Sequence, residues 1–307
     1  MAKILVSGLI NIETTLTVES FPIAYSPVRY PFFGVKSTVS GVGWNISKAL
    51  AALNDQPVLL SMLGNDFLGN VVLDEIKQYS IDPKYLLRNL INTPQSVILF
   101  DSSGRRQINV DLKDVQNKTY PDEHFAEALT GSDLAVMCNI NFSRSHLEMV
   151  KKAGILLATD VHTISSLDDP YNQDFMKAAD ILFCSDELLP CKPEEWARQV
   201  FNRYRASILV IGMGNNGALL SVRDDGFLER LPSISTRPVV NTIGAGDALF
   251  SSFLHYFLAT GDAMLALQKA MVFASYKIGE SGAAEGFLSE TGLDDLYLQI
   301  TSNQRER

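Results

Sequence analysis

Short apolar runs separated by segments with helical spacing recur along most of the chain. This alternation restricts it to architectures built from parallel βαβ units. Strands are expected at 3–7, 57–62, 134–138, 155–159, 181–184 and 208–211, and helices at 45–54, 69–79, 124–130, 143–153, 193–204, 245–259 and 263–279. The expected fold class is α/β, a mostly parallel central sheet with helices on both faces, because parallel sheets are buried on both sides. A chain of 307 residues, 46% of them hydrophobic, can bury such a core.

Two stretches break the alternation. Residues 11–39 carry Thr14-Thr15-Leu16-Thr17-Val18 and a Pro/aromatic region ending in Phe32-Phe33-Gly34-Val35. Residues 93–119 carry Ser96-Val97-Ile98-Leu99-Phe100, the turn Asp101-Ser102-Ser103-Gly104 and Arg106-Gln107-Ile108-Asn109-Val110. Both read as antiparallel β structure, and neither is large enough to fold alone. A small β-sheet lid made of 11–38 and 93–119, projecting from an α/β core of 1–10, 39–92 and 120–307, satisfies both facts. The polar tail 301–307 is expected to fray.

Charge narrows the partners. There are 35 acidic and 26 basic residues, a net charge of −9, and no long Lys/Arg cluster. A nucleic-acid backbone or an anionic membrane needs a basic footprint, so small molecules are the expected partners. Cys138, Cys184 and Cys191 are odd in number and lack CxxC spacing, which suggests neither a disulfide framework nor structural zinc. Asp160 and His162 supply two ligand types, fewer than a metal site needs. Residues 1–6 enter a strand directly, without the apolar region or cleavage site of a signal peptide, and the apolar segment after Ile243 contains Asp247 and His255. The protein is expected to be cytoplasmic.

The strongest chemical feature is Asn241-Thr242-Ile243-Gly244-Ala245-Gly246-Asp247, followed at once by an apolar helix. Small residues let a ligand approach the backbone, and the first N–H groups of a helix are unpaired and partially positive, which suits a phosphate. An Asp in that first turn repels a bystander anion. It makes sense as a base that takes a proton from a hydroxyl attacking the phosphoryl group. The alternative is a glycine turn in which Asp247 only stabilises the helix start. A second cluster, Gly212-Met213-Gly214-Asn215-Asn216-Gly217, has GxGxxG spacing. Residues 218–222 read as a strand and Asp224-Asp225-Gly226 as a turn, so no dinucleotide-binding helix opens after the cluster.

Residues 241–247 match D-T-x-G-A-G-D, the C-terminal signature of the ribokinase-like (PfkB) carbohydrate kinases, with Asn241 at the first Asp. Gly8-Leu9-Ile10-Asn11-Ile12-Glu13 resembles the family's G-x-x-N-x-D, Ser40-Gly41-Val42-Gly43-Trp44-Asn45 its G-G-x-G-x-N, and Gly64-Asn65-Asp66-Phe67-Leu68-Gly69 its G-x-D-x-x-G turn. Order and spacing agree from residue 4 to about 288, so the resemblance covers nearly the whole chain.

The resemblance implies an ATP-dependent kinase that moves the γ-phosphate, with Mg²⁺, onto a hydroxymethyl group of a sugar, phosphosugar or nucleoside. Asp247 falls on the catalytic base, and the amides of Gly244, Ala245 and Gly246 on the anion hole. Asn11, Glu13, Gly41, Gly43, Asn45 and Asn139 fall on the acceptor site. Ser185, Gly214, Asn216, Gly217, Thr242, Met271, Ala274 and Ser275 fall on the ATP site.

Three positions depart from the pattern. Where relatives carry N-x-x-E, Ser185 and Leu188 stand at the Asn and Glu, so no direct metal ligand is assigned, although a shift of one residue brings in Glu187. Glu13 replaces an Asp, keeping the charge on a longer arm. Asn241 loses the charge that supports a monovalent-cation site in the family, which argues against potassium activation. Val42 stands where many phosphosugar kinases carry Lys, whereas Arg29, Lys36, Arg105 and Arg106 offer cations for an acceptor phosphate. Tyr30, Phe32, Phe33 and Trp44 suit a sugar face, a nucleobase or a second subunit's lid. The primary reading is therefore a sugar or ribonucleoside kinase that is a homodimer through the lid. The alternatives are a phosphosugar kinase of the same fold and a catalytically weak ligand-binding or regulatory homologue.

Overall fold

Parallel pairing organises the larger of two sheets in the computed structural model, which describes residues 1–224 and 226–305. Its strands, in chain order, are β1 (Lys3–Ser7), β4 (Gln56–Gly64), β5 (Leu86–Leu90), β8 (Leu134–Met137), β9 (Leu156–Thr163), β10 (Ile181–Ser185), β11 (Ile208–Gly212), β12 (Ala218–Val222) and β13 (Phe227–Leu231). The spatial order is β13-β12-β11-β10-β9-β8-β1-β4-β5. Every neighbouring pair from β11 to β5 is parallel, and β12 and β13 add an antiparallel edge.

The helices α1 (Val42–Ala52), α2 (Phe67–Ile76), α3 (Asp122–Leu129), α4 (Asn141–Arg144), α5 (Leu147–Lys152), α6 (Gln173–Ala178), α7 (Pro193–Arg203), α8 (Ala245–Thr260), α9 (Ala263–Lys277) and α10 (Glu290–Arg305) flank this sheet. They form two apolar cores, one including Trp44, Phe250 and Phe273 and the other Phe125, Phe175 and Trp196. Successive residues of β1 alternate between these cores, as a strand covered on both faces requires. Among the described residues no helix is long and apolar enough to cross a membrane.

The second sheet joins β2 (Asn11–Thr17) and β3 (Val35–Ser40) to β6 (Gln95–Phe100) and β7 (Arg106–Asp111), in the order β3-β2-β6-β7. Each hairpin is antiparallel as expected, but the join between them, β2 to β6, is parallel.

Other differences are local. The helix expected at 143–153 is broken into α4 and α5 at His146, whose buried ring stacks on Phe125 and bonds the Phe142 carbonyl. The short β5, β13 and α6 lack a clear period and were not expected. The tail is helical through Arg305 rather than frayed, because α10 begins near Glu290 and packs Leu293 into the core. Asp225 of the expected turn and the last two residues of the tail lie outside the described residues.

Candidate active site

Ligands of open α/β sheets sit beyond the carboxyl ends of the strands, and here that edge is closed in by backbone contacts only glycine permits. A Cβ on Gly8, just after β1, would lie 2.8 Å from the Gly43 Cα, and one on Gly43 would lie 2.6 Å from the Gly8 carbonyl carbon. The first turn of α1 therefore lies directly against the end of β1. Gly41, the residue before α1, has φ 102°. Asn45 is carried inward on this turn and donates to Asp247 Oδ2 at 2.7 Å.

Gly244 precedes α8 with φ 74°, and a Cβ there would meet the Ala283 carbonyl at 2.4 Å. Only glycine turns the chain at this point. The Ala245 amide donates to the Thr242 carbonyl at 3.2 Å, while among the described residues the amides of Gly244, Gly246 and Asp247 have no acceptor. Two of the three expected phosphate donors, Gly244 and Gly246, are thus free, Ala245 is held in its own turn, and the Asp247 amide is free beside them. Asp247 is 9% exposed, and burial raises its pKa above the ordinary carboxylate range against the pull of His162 and Asn45.

From Asp247 a chain of polar groups runs to the second sheet. Ser40 Oγ lies 3.3 Å from Asn45 Oδ1 and 3.0 Å from Glu13 Oε2. Glu13 faces inward beside Ser96, as does Asn11, whose Nδ2 donates to Ser96 Oγ at 3.0 Å. Burial raises the Glu13 pKa, offset in part by the Ser40 hydrogen bond. Within this polar group two buried acceptor atoms, Asn11 Oδ1 and Glu13 Oε1, lack a well-formed hydrogen bond, although the Ala283 backbone also acts on the Glu13 carboxylate. Asn139 is not drawn into this group, since its amide donates to Asn172.

The opposite side is more open. Ser185 ends β10, and its hydroxyl accepts from the Glu187 amide. The Glu187 carboxylate is 64% exposed and lies 4.0 Å from Arg106 of β7. Arg106 also donates to Thr242 Oγ1 at 2.6 Å, so a cation from the small sheet reaches the loop that opens α8. Gly214 and Asn216 form an exposed turn between β11 and β12, and Gly217 packs against Leu231 so closely that a Cβ would overlap its carbonyl. On α9, Met271 is buried and the Ser275 hydroxyl is bound by Thr236, which leaves Ala274 as the partly open member of that trio.

The other cations of the small sheet are committed. Arg29 donates to the Ala24 carbonyl, Arg105 pairs with Asp101 at 2.8 Å, and Lys36 pairs with Glu285 at 2.7 Å. Asn241 donates to the Ser281 carbonyl at 2.7 Å and accepts from the Ile243 amide at 3.0 Å. An ionised Asp has no hydrogen to give Ser281, which accounts for the amide at this position. Among the described residues no cluster of three or more His, Cys, Asp or Glu could hold a metal.

Asp160 and His162, two ligand types in the sequence, and Lys277, which lies in none of its motifs, also stand at this site. A bulge in β9 puts His162 at φ 57° and 3.5 Å from Asp160, whose Oδ2 lies 3.9 Å from where a Gly246 side chain would begin. Despite desolvation, Asp160 raises His162 to about 9. Lys277 is completely buried, and its ammonium donates to the Ile243 carbonyl. A charged residue at the end of the apolar run 270–276 was the available signal.

Comparison with known proteins gives the family and the fold. A family profile described as pfkB family carbohydrate kinase matches residues 1–290. The deoxyribokinase of Salmonella typhimurium is 24% identical over 263 residues, covering 81% of this chain and 84% of that one. The ATP-dependent ribose-1-phosphate kinase of Halopiger xanaduensis is 22% identical over 288 residues, covering 92% and 94%. Among solved structures, the microbiome-derived acarbose kinase Mak1 superposes with a TM-score of 0.87 at 24% identity, covering 97% of this chain and 99% of that one.

Proposed function

Because this chain belongs to the pfkB family of carbohydrate kinases and is an ATP-dependent kinase of sugars or nucleosides, we propose that its acceptor is an unphosphorylated sugar or ribonucleoside, phosphorylated on a primary hydroxyl beside Asp247. One observation carries this reading. Asn11 Oδ1 and Glu13 Oε1 are buried acceptors without a well-formed hydrogen bond, on the same polar chain as Asp247, with only the Ala283 backbone and Ser40 acting on the Glu13 carboxylate. Hydroxyl groups supply the missing donors. An acceptor phosphate would instead meet two carboxylates. Arg29 and Arg105, the cations a phosphosugar would need, are engaged elsewhere, and Arg106 reaches Thr242 on the donor side. This holds although one similar protein is a ribose-1-phosphate kinase.

In this reading Asp247 takes the proton of the attacking hydroxyl as its oxygen bonds to the γ-phosphorus and the bond to the β-phosphate oxygen breaks, releasing ADP. The free amides of Gly244 and Gly246 stabilise the charge on the transferring group, with Ala245 joining them if its turn bond opens. ATP lies along Ser185, Thr242 and the Gly214–Gly217 turn, with its base toward Ala274. Magnesium carried on a triphosphate needs few protein oxygens, and Glu187 is the side chain we assign to its water shell. When bound, the ion neutralises phosphate charge. The small sheet, 11–38 with 93–119, serves as a lid that excludes water and, through its outer face, joins a second copy of this chain. Three unpaired cysteines suit the reducing cytoplasm.

A coupled ADP-release screen tests the acceptor, using MgATP with free pentoses and hexoses, ribonucleosides and phosphosugars. Turnover with an unphosphorylated compound at least ~10-fold above its phosphorylated counterpart is expected, the order a misplaced charge costs. Preference for the phosphorylated compounds would overturn the reading.

A further inference from the structure

Lys277 belongs to none of the motifs, yet it is the lysine the fold buries completely. It ends α9, and its ammonium donates to the carbonyl of Ile243, the residue before Gly244. The Ile243 amide donates to Asn241 Oδ1, so this residue is gripped at both ends just where the chain turns into α8. Burying an ammonium is costly unless countercharges offset it. Glu13 on β2, Asp247 on α8, and Glu280 and Glu285 on the loop after α9 face it. Glu280 has its own cation in Arg237, and Glu285 in Lys36. Asp247 is also influenced by His162, but His162 is paired with Asp160. Lys277 is therefore the countercharge left for Glu13 and Asp247, the acceptor grip and the base.

We propose that Lys277 is the resident cation of the phosphoryl-transfer loop, a positioning residue that holds the Ile243 carbonyl, keeps the Gly244–Asp247 turn in shape and replaces a free monovalent ion. The proposal rests on the reading of Asp247 given above. Its charge also favours the ionised form that Asp247 needs as a base. Burial pulls the Lys277 pKa down to about 8, despite the four carboxylates that raise it. The ammonium is present below that pH and lost above it, so wild-type kcat is expected to fall as pH rises through this value.

The test compares wild type, K277M, K277A and D247N, using the best acceptor from the sugar and nucleoside panel. Each is assayed in KCl, NH4Cl, methylammonium chloride or choline chloride at equal ionic strength. Wild type should be indifferent to the salt. K277M, apolar and of similar length, should lose ~10²-fold or more in kcat, as when a preorganised donor is removed, with the KM for ATP within ~3-fold of wild type. K277A leaves a cavity, and potassium, ammonium or methylammonium, but not choline, should restore ~10-fold or more of its lost kcat and raise its melting temperature.

Wild-type activation by potassium, K277M turnover near wild type, or a loss in K277A that no small cation repairs would each overturn the proposal. If neither variant folds, the wild type decides, by salt indifference together with a kcat decline near pH 8. Failure of the parent reading looks different, because D247N would then retain turnover whatever Lys277 does.

Discussion

Asp247 and Glu13 are both buried carboxylates raised by desolvation, but their neighbours give them different work. Asp247 stands at the free amides of α8 and is bound by Asn45; Glu13 keeps one oxygen without a well-formed hydrogen bond. Asp247→Asn should lower kcat by ~10²–10⁴-fold with little change in ATP binding, the usual range for losing a general base. Glu13→Gln should mainly raise the acceptor KM, by ~10-fold, the scale of one or two hydrogen bonds to a charged group. The signs for pH come from the same pair. A base works deprotonated, so kcat/KM should fall as pH drops through the Asp247 value, which lies above the ordinary 3.8. The Asp247 charge raises Glu13, and because coupling between two charges is mutual, removing the Glu13 charge should move that acid limb to lower pH. A pH–rate profile of Glu13→Gln with the limb unmoved or shifted upward would break the coupling. Asp247, Asn45 and Glu13 were legible in the sequence because contiguous motifs carry them, and the glycines around them fix their approach. Lys277 and His162 were not. One acts from the end of a helix 34 residues beyond Ile243, and the other through a bulge that no local pattern announces.

At the scale of elements, the small sheet was legible as two hairpins but not as one sheet, because the parallel β2–β6 join depends on contacts 80 or so residues apart. That join fixes which side chains face inward: Glu13 sits across from Ser96, and Thr15 across from Ile98. Ile98 packs with Ile243 and Ala283, so the sheet rests on the loop that opens α8. Arg106 extends this contact to Thr242. Arg106→Ala should therefore raise the KM for ATP by ~3–30-fold, the worth of one or two charge-assisted bonds, and leave the acceptor KM within ~2-fold. Steady-state kinetics with each substrate varied in turn separates these effects. A rise confined to the acceptor KM would place Arg106 on the acceptor and revive the phosphosugar reading. The broken helix at 141–152 illustrates the same limit, since its apolar spacing is continuous and only the buried ring of His146 interrupts it.

At the scale of the whole molecule, the larger sheet is covered on both faces while the small one is covered on one. Its other face presents Leu16, Val97 and Leu99, with Val97 44% exposed. The connection between β2 and β3 carries Tyr25, Tyr30, Phe32 and Phe33, all more than 70% exposed. So many exposed apolar side chains on one small sheet and its connecting loop favour a partner, and an open sheet with β3 and β7 at its edges invites further contact. A second copy of this chain, meeting outer face to outer face about a two-fold axis, would cover the patch on both at once. Sedimentation at micromolar concentration should give twice the 33.9 kDa chain mass, and Val97→Asp with Phe33→Ser should halve it. Those changes lie away from Asp247 and the α8 amides, so any accompanying loss of turnover reports what pairing does for the lid. Ile98 contacts the transfer loop from the inner face of the same strand that carries Val97 on the outer face. Stiffening one face by association therefore steadies the other, and separated protomers should show a higher acceptor KM and more ATP hydrolysis without acceptor. A wild type that sediments as a monomer at these concentrations would end the argument, and the aromatic segment would then need a different partner.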